Sequence, residues 1–118
     1  MLSALESASV YLACGSTDLR KSIDGLAALV SHSFELDLFT NSLFVFCNKD
    51  RDKLKILFWD HNGFWLYYRR LEKGRFRWPV RSEAATLTIS RRQLQWLLDG
   101  LPLEQPRAHK PVTARIAA

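Results

Sequence analysis

Asn62-Gly63, flanked by Lys53–Trp59 on one side and Phe64–Leu71 on the other, narrows the fold more than any other feature of the chain. Two strand-like runs joined by Asn-Gly form the strongest short-range signal for a β-hairpin, because both residues tolerate the positive φ of a type I′ turn. Leu43-Phe44-Val45-Phe46-Cys47 precedes the pair as a run apolar at every position, which suits a strand covered on both faces. The polar cluster Asn48–Asp52 turns the chain between the first two strands. The expectation is a three-stranded antiparallel meander over residues 43–71. Its hairpin register stays open: a two- or four-residue loop pairs odd with even positions, and a three-residue loop pairs like with like. Under each register the exposed face carries some of Lys53, Lys55, Arg69 and Arg70.

Around the meander, Val10–Cys14 reads as a first strand ended by Gly15-Ser16. Thr17 or Asp18 is placed to cap a helix running to about Phe34, with Ile23, Leu26, Ala27, Val30 and Phe34 on one face. Arg75-Phe76-Arg77-Trp78-Pro79 alternates with period two, as in an edge strand that ends at proline. Ala85–Ile89 is a further short strand. Ser90 and Gln93 then form a capping box ahead of a helix lined by Leu94, Leu97, Leu98 and Leu101, with Gly100 as its stop. The fold class expected is α+β: an antiparallel sheet of about four to five strands, with an N-terminal helix and a C-terminal helix packed on it. Residues 1–101 make one domain in this reading, and 102–118 form a disordered, basic, Pro-containing tail.

The 118 residues are 47% hydrophobic and 25% charged, as in an ordinary globular domain. No run approaches the roughly 18 consecutive apolar residues of a membrane span, and the N-terminus lacks the pattern of a signal peptide. Cys14 and Cys47 stand in apolar stretches outside any CxxC pair, so both read as reduced thiols and the compartment as cytoplasmic. His32, His61 and His109 have no metal-ligand spacing, and no metal or other cofactor is expected.

The net charge of +5 is unevenly placed. Residues 1–48 carry two basic and five acidic side chains, whereas residues 49–81 carry ten basic and four acidic. That middle third also holds eight of the fourteen aromatic residues. Cations interleaved with rings suit nucleic acid, because the cations neutralise phosphates while the rings stack on bases. The alternative is a sheet with an aromatic core face and a solvated Lys/Arg face. The candidates for phosphate contact are Arg69, Arg70, Lys73, Arg75 and Arg77, then Lys53 and Lys55, with Arg20 and Lys21 as a secondary site at the start of the first helix. An Arg20–Asp24 pair at i,i+4 is the plainer account of that secondary site. Trp59, Trp65 and Trp78 are stacking or partner-contact candidates if exposed.

Asp18, Asp24, Asp60, Asp50 and Asp52 invite comparison with two-metal nucleases, but their spacing is unspecific. No P-loop, GxSxG or HExxH motif is present, and no catalytic residue is assigned. Ser90-Arg91-Arg92-Gln93 has the residues of a recognition helix, yet residues 80–89 offer no partner helix upstream.

Four segments together resemble a known family. Thr17–Leu26 is similar to its TDMRKSFDGL stretch, Leu43–Phe46 to its LFVF strand, Lys53–Asp60 to LKILWWD, and Gly63–Pro79 to a GFxLxYKRLEKGRFxWP run. Leu19 and Ile23 stand where the family has Met and Phe, and Phe58 replaces another aromatic. The resemblance is to the TnpB-type, Orf2-like accessory proteins of insertion sequence 66 elements, which are distinct from the RNA-guided nucleases sharing the TnpB label. It spans about Val10 to Leu101. It implies a bacterial mobile-element protein that serves transposition beside a separate acidic-triad transposase, and it supplies no catalytic residues. The function expected is a non-catalytic accessory protein with DNA, the transposase and other proteins of the element as partners, and with no membrane role. The alternative is a protein-interaction module that docks onto the transposase or another accessory subunit without touching DNA.

Overall fold

In the computed structural model, which describes residues 7–79 and 83–104, the chain forms β1 (Ser9–Ala13), α1 (Ile23–Ala28), β2 (Ser42–Cys47), β3 (Lys53–Asp60), β4 (Gly63–Arg70), β5 (Thr86–Ile89) and α2 (Arg91–Leu98). The strands make one sheet in the order β4-β3-β2-β1-β5. The meander over 43–71 is present, with β2–β3 and β3–β4 antiparallel. β1 also meets β5 antiparallel, but it runs parallel to β2, pairing Val10 with Leu43 and Leu12 with Val45.

That parallel pair overturns the expected antiparallel sheet with an N-terminal and a C-terminal helix packed on it. Over the described residues the fold is mostly a mixed five-stranded sheet with two short helices, and those helices do not bracket the sheet. Parallel neighbours cannot be joined by a tight turn, so residues 14–41 make a crossover, and α1 is its helix. α1 is also shorter than the periodicity suggests. It starts at Ile23 and continues as one turn of π-helix over Leu29–Ser33, closed by Phe34 N–H donating to the Leu29 carbonyl at 2.9 Å. Residues 17–22 stay irregular because the Asp18 carboxylate accepts from the Arg20 backbone N–H, diverting the chain from helix.

Alternation along the strands gives the sheet two covered faces. On one, which we call the α2 face, Val10, Leu12, Leu43, Val45, Leu54, Phe58 and Ile89 pack with Leu94 and Leu97 of α2 and with Phe76 and Trp78. On the other, the α1 face, Ala13, Phe44, Phe46 and Leu57 pack with Leu26 of α1, with Val30 of the π-helical turn after it and with Leu38. β2 lies at the centre of this sandwich and is buried at all six residues, which explains its unbroken apolar run. Burying each large apolar side chain contributes roughly 1.5–3 kcal/mol. Cys47 shares this core as a free thiol, and burial pushes it up to about 11.

The Asn-Gly signal locates the hairpin one residue late. Asp60 pairs with Gly63, so the two loop residues are His61 and Asn62, and His61 takes the positive φ of 54°. This two-residue loop settles the register as odd with even. Residues 75–79 form no strand. Their alternation is real, with Phe76 and Trp78 buried and Arg75 and Arg77 exposed. The segment, however, lies over the α2 face instead of extending the sheet edge, so it has no ladder partner.

α2 opens with the expected capping box: Gln93 N–H donates to Ser90 Oγ, and Ser90 N–H donates to Gln93 Oε1. It closes on Gly100 at φ 79°, with Leu101 N–H reaching the Trp96 carbonyl and Gly100 N–H the Leu97 carbonyl. Residues 105–118, most of the expected tail, lie outside the described residues.

Candidate nucleic-acid interface

The strand period of two decides where the cations go. Lys53 faces Arg70 and Lys55 faces Tyr68 across β3–β4 on the α1 face, whereas Arg69 pairs with Leu54 and points to the α2 face. The basic side chains of residues 53–77 therefore divide between the two faces of the sheet instead of forming one positive surface.

The α1-face cleft encloses about 840 Å³ between the irregular loop at 16–20, the turn at 48–50 and the open half of β3–β4. Its cations are Arg20, Lys49, Lys53 and Lys55, with Leu19, Leu66 and Tyr68 as apolar wall. Most of these charges already have protein partners. Arg20 does not pair with Asp24. Its Nε and Nη2 donate to the two oxygens of Asp18, with Nη2 at 2.7 Å, and this grip holds the Asp18 carboxyl at about 2. Both residues precede α1, so neither Arg20 nor Lys21 lies in a helix first turn.

Lys55 Nζ donates to the carbonyls of Leu19 at 2.7 Å and Lys21 at 3.0 Å, pinning the 17–22 loop to the sheet. Lys53 Nζ is 3.4 Å from Asp52, itself fixed by Asn48, whose amide donates to Asp52 at 2.7 Å and whose side-chain oxygen accepts from the Asp52 and Lys53 N–H groups. Arg70, at the end of β4, is drawn away by Glu72 at 2.9 Å.

The α2-face cleft is smaller, about 670 Å³, and more cationic. Arg69, Lys73, Arg75 and Arg77 surround it, Leu71, Phe76 and Leu98 line it, and Asp99 is its acidic residue. All four cations are exposed, and none makes an ion pair or side-chain hydrogen bond among the described residues. The wall carrying Arg75 and Arg77 is held from behind. Phe76 N–H donates to the Arg51 carbonyl at 2.7 Å, and the Trp78 indole donates to the Ala13 carbonyl at 2.9 Å. Arg51 braces the same region, with Nη1 donating to the Gly15 carbonyl at 2.9 Å.

The three tryptophans separate by role. Trp78 is 7% exposed and belongs to the core, so it is no stacking residue. Trp59 is half-buried, edge-on to Phe39 and Phe64 with centroids 4.9 and 5.0 Å away. Trp65 is 47% exposed; its ring stacks on Tyr67 and its indole N–H donates to Asp60.

Sequence reasoning missed Tyr68, which is 56% exposed in the first cleft, and Phe39, 61% exposed beside Trp59. Tyr68 becomes visible once the β3–β4 register is known, since it is the residue opposite Lys55. Asp18, Asp24 and Asp60 form no group able to hold a metal ion, and no such group occurs among the described residues. Among those residues, no helix is long and apolar enough to cross a membrane.

Comparison with known proteins adds the lineage. A family profile described as "IS66 Orf2 like protein" matches residues 8–108. Two Sinorhizobium fredii proteins align along most of both chains. "Uncharacterized protein y4hO" is 35% identical over 107 residues, covering 91% of this chain and 92% of the relative. "Uncharacterized protein y4jC" is 32% identical over 103 residues, covering 87% and 86%. No solved structure matches the chain.

Proposed function

The chain belongs to the IS66 Orf2-like family and is an insertion-sequence-associated protein; from that premise we propose that it is a non-catalytic accessory protein of transposition that holds DNA in the α2-face cleft. The observation carrying this reading is the convergence of Arg69, Lys73, Arg75 and Arg77 on one cleft with no counter-ion engaged to any of them among the described residues. Like charges brought together without partners raise the local potential and attract a polyanion. Guanidinium groups also match phosphate oxygens as paired donors. The chemistry of strand transfer is left to a separate transposase, and this subunit supplies sequence-independent grip through the DNA backbone.

Four phosphate contacts give a steep salt dependence: duplex affinity falls about a hundredfold between roughly 50 and 200 mM salt. Replacing Arg69, Lys73, Arg75 and Arg77 together with glutamine is expected to flatten that dependence and remove most binding at low salt. An unchanged affinity and slope in the variant would refute the reading.

A protein-docking role has its own observation in its favour. Phe39, Trp59 and Phe64 form an aromatic group on the α1 face near the hairpin, and Phe39 is largely uncovered. Exposed aromatics of this kind serve as interface anchors. If the transposase docks there, Phe39→Ser abolishes its co-purification while leaving duplex binding intact.

A further inference from the structure

The α1-face cleft differs chemically from the cationic one opposite. It combines an exposed aromatic ring with cations beside it. Tyr68 stands on β4 directly across from Lys55, whose ammonium is 6.0 Å from the ring centroid, and Lys53 lies two residues away on the same face of β3. Lys49, exposed on the 48–50 turn, is free of protein partners among the described residues. Asp18 is neutralised by Arg20, which leaves Asp50 as the uncompensated carboxylate of the lining.

We infer that this cleft receives an unpaired nucleotide of a DNA strand, its base on Tyr68 and its phosphate beside Lys49. A ring lining a cleft can be stacked only by a base whose own face is free. In a duplex, neighbouring base pairs occupy those faces, so the ring selects single-stranded or locally opened DNA. The volume of about 840 Å³ lies in the range of sites that enclose a small ligand. Lys55 is a positioning residue here. Its bonds to the Leu19 and Lys21 carbonyls hold the 17–22 loop that forms one wall. The inference rests on the protein being a DNA binder but uses the opposite face of the sheet, so the two readings fail separately.

The test titrates the full chain with three probes at about 50 mM salt: an oligothymidylate of about eight nucleotides, an abasic strand of that length, and a duplex of about 20 base pairs. Thymidine monophosphate serves as a fourth probe. Tyr68→Ala is expected to weaken oligothymidylate binding about tenfold, the loss of one stacked base, and to leave duplex binding unchanged. Tyr68→Phe keeps the ring and binds as the wild type does. Tyr68→Thr, which retains strand propensity, replaces the alanine variant if that one unfolds.

Equal binding of the abasic and thymidine strands by the wild type overturns the inference, as does undiminished oligothymidylate binding by Tyr68→Ala or Tyr68→Thr. Thymidine monophosphate binding as tightly as the strand would show a free-nucleotide site and overturn the strand assignment. Duplex binding that depends on Arg75 and Arg77, without any oligothymidylate binding, overturns this inference alone. The reverse pattern overturns the proposed function alone.

Discussion

Lys55 and Arg75 are both cations at the rim of a cleft, yet they behave oppositely. Lys55 spends its ammonium on the carbonyls of Leu19 and Lys21, whereas Arg75 has no side-chain partner among the described residues. The same contrast runs through both clefts. Around the first, Arg20 is held by Asp18 and Lys53 lies near Asp52; around the second, four cations stand unpaired among the described residues. A basic side chain in a cleft is thus informative only once its own partners are known. A cation already bound to the protein builds the wall, and an unbound one is available to a ligand.

The largest expected effect is on the wall of the second cleft. Trp78→Ala removes a buried ring and its bond to the Ala13 carbonyl, and should cost about 3–5 kcal/mol in a urea unfolding titration. Trp65→Ala, on the exposed part of β4, should cost clearly less. Equal losses would erase the distinction between a core and a surface tryptophan. Next comes Lys55→Met, which deletes two charged hydrogen bonds and frees the 17–22 loop. A loss of about 2 kcal/mol is expected, with increased amide exchange confined to residues 17–22.

Arg75→Gln sharpens the contrast from the other side. Stability should change by less than about 0.5 kcal/mol, because no intramolecular bond is lost. The salt slope of duplex binding should instead fall by about one. If Lys55→Met proves neutral and Arg75→Gln destabilising, the division into wall-building and ligand-facing cations is wrong.

The smallest effect concerns Asp18. Its carboxyl is held at about 2, below the ordinary 3.8, first by the Arg20 side-chain hydrogen bonds and then by the Arg20 backbone N–H. A depressed value means that the pairing favours the folded loop above about pH 4 and is lost as pH falls towards 2. Carboxyl chemical shifts should therefore give Asp18 a midpoint near 2, returning towards 3.8 in Arg20→Ala.

Several features were legible without coordinates because they depend on neighbours in the chain. The Ser90–Gln93 capping box is one, since each partner lies three residues from the other. The alternation in 75–79 is another: Phe76 and Trp78 are inside and Arg75 and Arg77 outside, as read. The strand inferred from that alternation is absent, because period two reports which side is buried and not whether a ladder partner stands alongside. The helix expected from Thr17 or Asp18 failed for a related reason. Apolar spacing from Ile23 onward is helical, but Asp18 competes for the Arg20 N–H ahead of it.

By itself the sequence determined the meander, the unbroken burial of β2, the capped second helix, and the concentration of charge and aromatic rings in residues 49–81. All of these follow from local periodicity, turn chemistry and composition. Only the tertiary structure decided that β1 runs parallel to β2, that the cations divide between two faces, and that Trp78 is core while Tyr68 is open. The reason is that strand direction is set by contacts between residues distant in the chain, and hairpin register by the length of the loop, which the residue types around Asn62-Gly63 do not specify. A one-residue change in register sends every side chain of a strand to the other face.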